Sequence, residues 1–184
     1  MMASMDRYLV SVLRFDAETE EHIQRVMMQI QRSLGRAATE PFAPHISLVP
    51  ADLDKHADWA GDFHEWLSAQ QSFDVTFSHV GVFGGDILFL GATATESLFA
   101  FHLECFQRMS PCLHAPWIDL YKPQRWVPHC TLAVGVPEHA LGSVIVDATS
   151  SLKLPLRAVC QAVDLVSVEG EKPEVIGHVS LLTS

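Results

Sequence analysis

Residues Trp126 to Val134, WVPHCTLAV, read as a short apolar strand interrupted by two polar side chains. Side chains alternate between faces in a strand, so His129 and Thr131 stand together while Cys130 and Leu132 turn to the other side. Residues Pro44 to Val49, PHISLV, repeat the order: proline, histidine, apolar residue, hydroxyl residue, leucine, then a small or branched apolar residue. Here His45 and Ser47 form the pair. A lone histidine in an apolar strand is commonly a hydrogen-bonded core residue, but the same pair in the same context twice asks for a shared reason.

Outward from the two motifs, the chain spells one order of elements twice. Leu9 to Leu13 is a strand, and Ile23, Val26, Met27, Ile30 and Leu34 mark an amphipathic helix, with Asp16 and Glu18 suited to its start and Gly35 to its end. PHISLV follows. Trp59, Phe63, Trp66 and Leu67 form a second helical stripe, and Phe73, Val75 and Phe77 alternate with polar residues as a half-buried strand. After the turn signal Gly84-Gly85-Asp86 come a strand from Ile87 to Leu90, a capping box from Thr93 to Glu96 and a helix carrying Leu98, Phe101, Cys105 and Met109. Pro111 stops that helix, and an irregular stretch runs to Pro123. WVPHCTLAV is followed by a helix from near Pro137, a strand from Leu154 to Val168 and a last strand from Val175 to Leu182. Strand, helix, motif strand, helix, strand thus occurs in residues 7–83 and again in residues 85–168. The expected fold class is α+β: one bilobal domain over residues 1–184, with two antiparallel sheets around a central cleft, helices outside and a pseudo-twofold internal repeat.

Composition sets bounds on function. At 184 residues, 48% hydrophobic and 18% charged, the chain matches a compact globular protein. No window has the length and apolarity of a membrane span, and the start MMASMDRYLV lacks the character of a signal peptide, so a cytoplasmic protein is expected. The four cysteines, Cys105, Cys112, Cys130 and Cys160, include no C-x-x-C pair, which favours reduced, buried thiols. A formal net charge of −10 argues against a surface that tracks a long phosphate backbone. Neither extended nucleic acid, DNA nor membrane is an expected partner; a small nucleotide or short RNA end is.

The paired PHISLV and PHCTLA motifs, in a chain of this size with this repeated layout, resemble the two-histidine (2H) phosphoesterase superfamily, which includes 2′-5′ RNA ligase-like proteins and 2′,3′-cyclic nucleotide phosphodiesterases. The resemblance covers nearly the whole chain in layout and the two motifs in wording. It implies a phosphodiesterase for a 2′,3′-cyclic nucleotide or a related small cyclic or 2′-5′ phosphodiester, without cofactor or metal. His45 and His129 would be the catalytic pair, and Ser47 and Thr131 would bind phosphate; Ser47 stands where the family more often has threonine. A noncatalytic nucleotide-binding module and 2′-5′ RNA ligase activity are the alternatives.

The chemistry is consistent with that expectation. Opening a cyclic phosphodiester needs a proton taken from water and another given to the departing ribose oxygen, and two imidazoles that titrate near neutrality can share those tasks. Hydroxyls can donate hydrogen bonds to the nonbridging oxygens. Which histidine is acid and which base stays open. If the motif strand runs straight through Pro128, Arg125 shares a face with His129 and adds a positive charge beside the phosphate; otherwise it is a surface arginine. Tyr121 and Trp126 are candidates for stacking a base or else packing residues, and Phe42 is read the same way.

Other chemistries are less well supported. His102-x-Glu104 followed by Pro111-Cys112 matches part of a zinc deaminase signature, but its second cysteine would fall at Ala115. His56 and His64 have no acidic partner at metal-ligand spacing and read as solvated. A third His-x-Ser, His178-Val-Ser180, has neither the preceding proline nor a following helix and reads as structural or as a cleft edge.

Overall fold

The computed structural model describes residues 7–35, 42–51, 56–113, 118–169 and 172–183, apart from the side chains of residues 7, 56–59, 112 and 172. Expectations placed on the N-terminal leader, on Ala115 and on the side chains of His56, Trp59 and Cys112 lie outside the described residues. The elements are β1 (Arg7–Phe15), α1 (Ala17–Ser33), β2 (Ile46–Ala51), α2 (His56–Ser68), β3 (Phe73–Phe83), β4 (Ile87–Ala92), α3 (Glu96–Met109), β5 (His129–Ala133), α4 (Glu138–Leu152), β6 (Leu156–Glu169) and β7 (Lys172–Ser180). Two short 3-10 turns, Ser110–Cys112 and Ile118–Leu120, lie between α3 and β5. The order β1-α1-β2-α2-β3 is therefore repeated as β4-α3-β5-α4-β6.

All named strand pairs are antiparallel, and the strand order is β2-β1-β6-β3-β4-β5, with β7 also on β6. That order is a palindrome: each half contributes its first two strands to one wing and sends its last strand to the other half's wing. The pseudo-twofold lies between β3 and β6, which pair only near their starts, from Phe73 opposite Cys160 to Phe77 opposite Leu156. Beyond that shared section β3 continues along β4 and β6 along β1. The two sheets expected from sequence are thus the wings of one continuously hydrogen-bonded seven-stranded sheet.

Period-2 burial follows from this arrangement. Leu9, Leu13 and Phe15 of β1, Ile46 and Leu48 of β2, Leu88 and Leu90 of β4 and Cys130 and Leu132 of β5 pack with the apolar stripes of the helices in the main core. The alternate residues of β1, Val10 and Val12, face the other way and pack with Val166, Tyr8, Phe42 and Val168 in a smaller cluster. The face bearing that cluster also carries the polar motif residues.

Local boundaries differ from the sequence reading in a few places. The cap of α3 is Thr95, whose hydroxyl accepts from Leu98 N–H, while the Thr93 N–H is used by the Thr76 carbonyl. Strand β6 starts at Leu156, after Pro155, and β7 runs from Lys172 to Ser180 rather than from Val175 to Leu182. Gly84 and Gly85 take φ of 60° and 94° in the β3–β4 turn, a conformation glycine adopts without side-chain strain. Among the described residues no helix is long and apolar enough to cross a membrane.

Asp16 joins α1 to the sheet. Its Oδ1 accepts from Thr19 N–H at 2.9 Å as the helix cap, while Oδ2 accepts from the Thr19 hydroxyl and from Val159 N–H of β6, both at 2.9 Å. Removing this carboxylate leaves two backbone donors unpaired. Asp16→Ala is expected to lower unfolding free energy by about 2 kcal/mol, measured by denaturant titration at pH 7; a change below about 0.5 kcal/mol would refute the double role.

Candidate active site

Proline before each motif histidine has a local structural reason. It carries no N–H to add to a ladder, so each motif strand begins at or just after the histidine and the preceding carbonyl is open to the side chain. His45 Nδ1 lies 2.9 Å from the Ala43 carbonyl, and His129 Nδ1 lies 2.7 Å from the Val127 carbonyl. Both carbonyls stand two residues before their histidine and can only accept, so in each case Nδ1 is the protonated nitrogen and Nε2 is left free.

Register places both pairs on the sheet face opposite the main core. Ser47 is opposite Val12 of β1, and His129 and Thr131 are opposite Gly91 and Phe89 of β4. In each strand the polar pair is half-buried and the residue between them, Ile46 or Cys130, is buried. Although β2 and β5 stand at opposite ends of the strand order, they meet in space. Trp126 Nε1 donates to the Ser47 carbonyl at 3.1 Å, the His45 backbone lies near the Cys130 sulfur, and the Tyr121 hydroxyl lies near that of Ser47. The sheet is therefore curled until its ends touch, which brings the two motif strands together.

Aromatic rings flank each imidazole. Phe42 lies with its centroid 5.0 Å from that of His45. Phe83 and Phe89 stack at 3.9 Å and both present an edge-type contact to His129, at 4.9 and 5.5 Å. Gly81 makes this wall possible, because a Cβ there would sit 2.3 Å from the Phe89 ring.

These surroundings disfavour charge on either imidazole. Burial pushes His45 down to about 4; Arg14 and His129 act in the same direction, against the opposing Ala43 carbonyl and Asp164. His129 is also lowered by burial, opposed by the Val127 carbonyl. The effect of His129 on His45 is itself a sign that the two are near each other.

Arg14 is a cation that the sequence reading did not single out. It lines a cavity of about 130 Å³ together with His45, Phe42 and Asp164. It is not free, however: it makes a two-pronged pair with Glu20 at 2.8 and 2.7 Å and a further one with Asp164. Signals for it were its charge on an apolar strand and its even spacing from Val10 and Val12.

Several sequence expectations need correction. Arg125 does not share a strand face with His129, because β5 begins at His129 and residues before it form turns; Arg125 N–H bonds the Lys122 carbonyl, and its exposed guanidinium lies 3.9 Å from Asp119. Trp126 is not open to a base: it is 5% exposed and lies face to face with His102 at 3.8 Å and 4°. Tyr121 is half-buried against the core, with its hydroxyl near that of Ser47 rather than its ring in the open. His102, part of the zinc deaminase pattern already set aside, is fully buried. Cys105, Cys130 and Cys160, by contrast, are buried free thiols as expected.

The family described as the 2′-5′ RNA ligase superfamily matches residues 15–172. The chain belongs to the 2′-5′ RNA ligase superfamily. TT0787 of Thermus thermophilus shares its fold with a TM-score of 0.67 at 16% identity, over 95% of this chain and 97% of its own. E. coli LigT complexed with 3′-AMP gives 0.58 at 14% identity over 95% and 98%, and Kluyveromyces marxianus Usb1 with uridine monophosphate gives 0.50 at 13% over 96% and 98%. A comparison with curated proteins finds no match. Membership of the 2′-5′ RNA ligase superfamily, a 2H phosphoesterase group, supports an enzymatic phosphoesterase role for this fold.

His102 gives this site a stability that depends on pH. Among the described residues neither of its ring nitrogens has a hydrogen-bond partner, and burial pushes it down to about 4, with the nearby Leu48 and Tyr121 carbonyls opposing. Between pH 6.5 and 4 the unfolded chain binds a proton at this histidine that the folded chain does not, so its contribution to stability falls as pH drops through that window. His102→Phe keeps an aromatic ring on Trp126 and removes the titration. The variant is expected to lose roughly 3 kcal/mol less than wild type on going from pH 7 to pH 4 in chemical denaturation, and parallel curves would refute this.

Proposed function

We propose that this cleft opens nucleoside 2′,3′-cyclic phosphates or related small cyclic or 2′-5′ phosphodiesters, with His45 as general base and His129 as general acid. The observation that carries the reading is the matched pair of imidazoles, each tied through Nδ1 and each leaving Nε2 free. His45 carries the larger downward displacement, so it is the one that stays neutral and accepts a proton. Its Nε2 takes a proton from water as the water oxygen bonds to phosphorus. The P–O bond on the far side breaks, and His129 Nε2–H gives its proton to the departing ribose oxygen. Ser47 and Thr131 hydroxyls donate to the nonbridging oxygens, with the Tyr121 hydroxyl near that of Ser47. Both proton transfers are supplied by imidazole, so the step needs no metal.

Small nucleotides found with LigT and Usb1 support a ligand of that size, and the net charge of −10 is unsuited to a long RNA. Buried thiols at Cys105, Cys130 and Cys160 suit the cytoplasm.

Turnover of the four nucleoside 2′,3′-cyclic phosphates, with chelator present, tests this reading. His45→Ala and His129→Ala are each expected to lower kcat by about 10²–10⁴-fold. Nucleotide binding without turnover in wild type would replace the enzyme by a binding module. The pH profile follows from the same assignment: a base that titrates near 4 and an acid held below 6.5 place the maximum of kcat/KM between those values. Activity that rises from pH 6.5 to 8 would remove the two imidazoles from the acid and base roles.

A further inference from the structure

We propose that a second pocket, lined by Gln161, His178, Ser180 and Thr183 beside Arg14, is a subsite for the uncharged nucleoside part of the substrate, its base or ribose. The inference rests on the reading of the histidine cleft as a phosphodiester site. It gives a role to the third His-x-Ser of the sequence.

Register puts this motif on the sheet face that bears the cleft. His178 is opposite Asp164 and Ser180 opposite Ala162 in the β6–β7 pair, while Asp164 and Ala162 are opposite Val12 and Arg14 in the β1–β6 pair. Asp164 is almost wholly buried, with a side chain 3% exposed, and it spends one oxygen on Arg14 and the other on His178 Nδ1 at 2.6 Å. An exposed imidazole is therefore anchored by a buried carboxylate, an arrangement that fixes the ring and turns Nε2 outward, 3.3 Å from the Ser180 hydroxyl. Such anchoring suits recognition better than solvent exposure alone, because a held ring loses little freedom on binding.

Volume and charge select the occupant. The cavity beside His45 is about 130 Å³, well short of the roughly 300–1,000 Å³ that enclose small-molecule ligands, whereas the cavity beside His178 is about 390 Å³. Arg14 lines both, so a ligand can run from one to the other along it. Its guanidinium already faces Glu20 and Asp164, two carboxylates for one cation, so the larger pocket offers no surplus positive charge to a phosphate. It offers an imidazole, two hydroxyls and an amide, which match the edges of a base or the hydroxyls of a ribose. The phosphate is thereby left between His45 and His129, and the nucleoside extends past Arg14.

Full-length protein is titrated with the four nucleoside 3′-monophosphates and separately with inorganic phosphate, following affinity and the imidazole NMR signals of His45, His129 and His178. His178→Asn keeps an N–H donor for Asp164 but has nothing in the place of Nε2, so it is expected to melt as wild type while binding at least one nucleotide about tenfold more weakly. Ser180→Ala is expected to act in the same direction, and inorganic phosphate affinity is expected to be unchanged in both. Nucleotide affinities within twofold of wild type, or equal losses for nucleotide and phosphate, would overturn the subsite. Signals that move at His45 and His129 but not at His178 would overturn it and leave the phosphodiester cleft intact; movement at none of the three would remove both.

Discussion

Strand β6 is the constraint on which the rest depends, because its fourteen residues must satisfy different partners in succession. Its first section pairs with β3, and its remainder lies between β1 and β7. A strand shared in this way prevents the halves from separating into two independent sheets, and it carries Asp164 into the middle of the polar face. The palindromic order then follows from ordinary antiparallel pairing applied twice. The ends of the order, β2 and β5, are the strands that bear the histidines, so curling the sheet until its ends meet and assembling the site are one event.

That closure brings together groups that resist being buried. Among the described residues neither imidazole has a hydrogen-bonded carboxylate; each has one backbone carbonyl, which orders the ring and fixes the tautomer without supplying a full negative charge. Arg14 stands beside His45 with its charge already balanced by Glu20 and Asp164. The outcome is a polar floor that holds little net charge although it contains an arginine and two histidines. Aromatic neighbours reinforce this by replacing water around both rings.

Much of this was legible in sequence because periodicity reports burial directly. The alternation around His129 and around His45 named the right faces, and the helical stripes from Ile23 to Ile30 and from Leu98 to Met109 named the right helices. Pairing is another matter, since nothing in the spacing of a strand says which neighbour it takes, and the joining of two wings through β6 could not be read. The same gap hid Arg14 and misplaced Arg125. Arg14 belongs to the cleft face only through the register of β1 on β2 and β6, whereas Arg125 was placed by extending a strand through Pro128, where a residue without an N–H ends it. Trp126 and His178 were visible but each kept two readings, stacking or packing for one and structural or cleft edge for the other, because what decides each is a partner distant in the chain: His102 in one case and Asp164 in the other.

A cleft whose histidines are both held neutral poses a question about where the acid's proton comes from, and the proposed substrate answers it. A phosphodiester is an anion, and placed between two imidazoles it favours the charged form of each, in opposition to the burial that disfavours it. Binding and proton uptake are then one linked process: the ligand that needs an acid is the ligand that creates it. In the proposed reaction the histidine easier to protonate, His129, would respond first, and His45 would remain available as the base because Arg14 and its charged partner imidazole add to the penalty of burial. Unequal burial of two similar motifs is in this way sufficient to give them different tasks, and no difference in wording between PHISLV and PHCTLA is required.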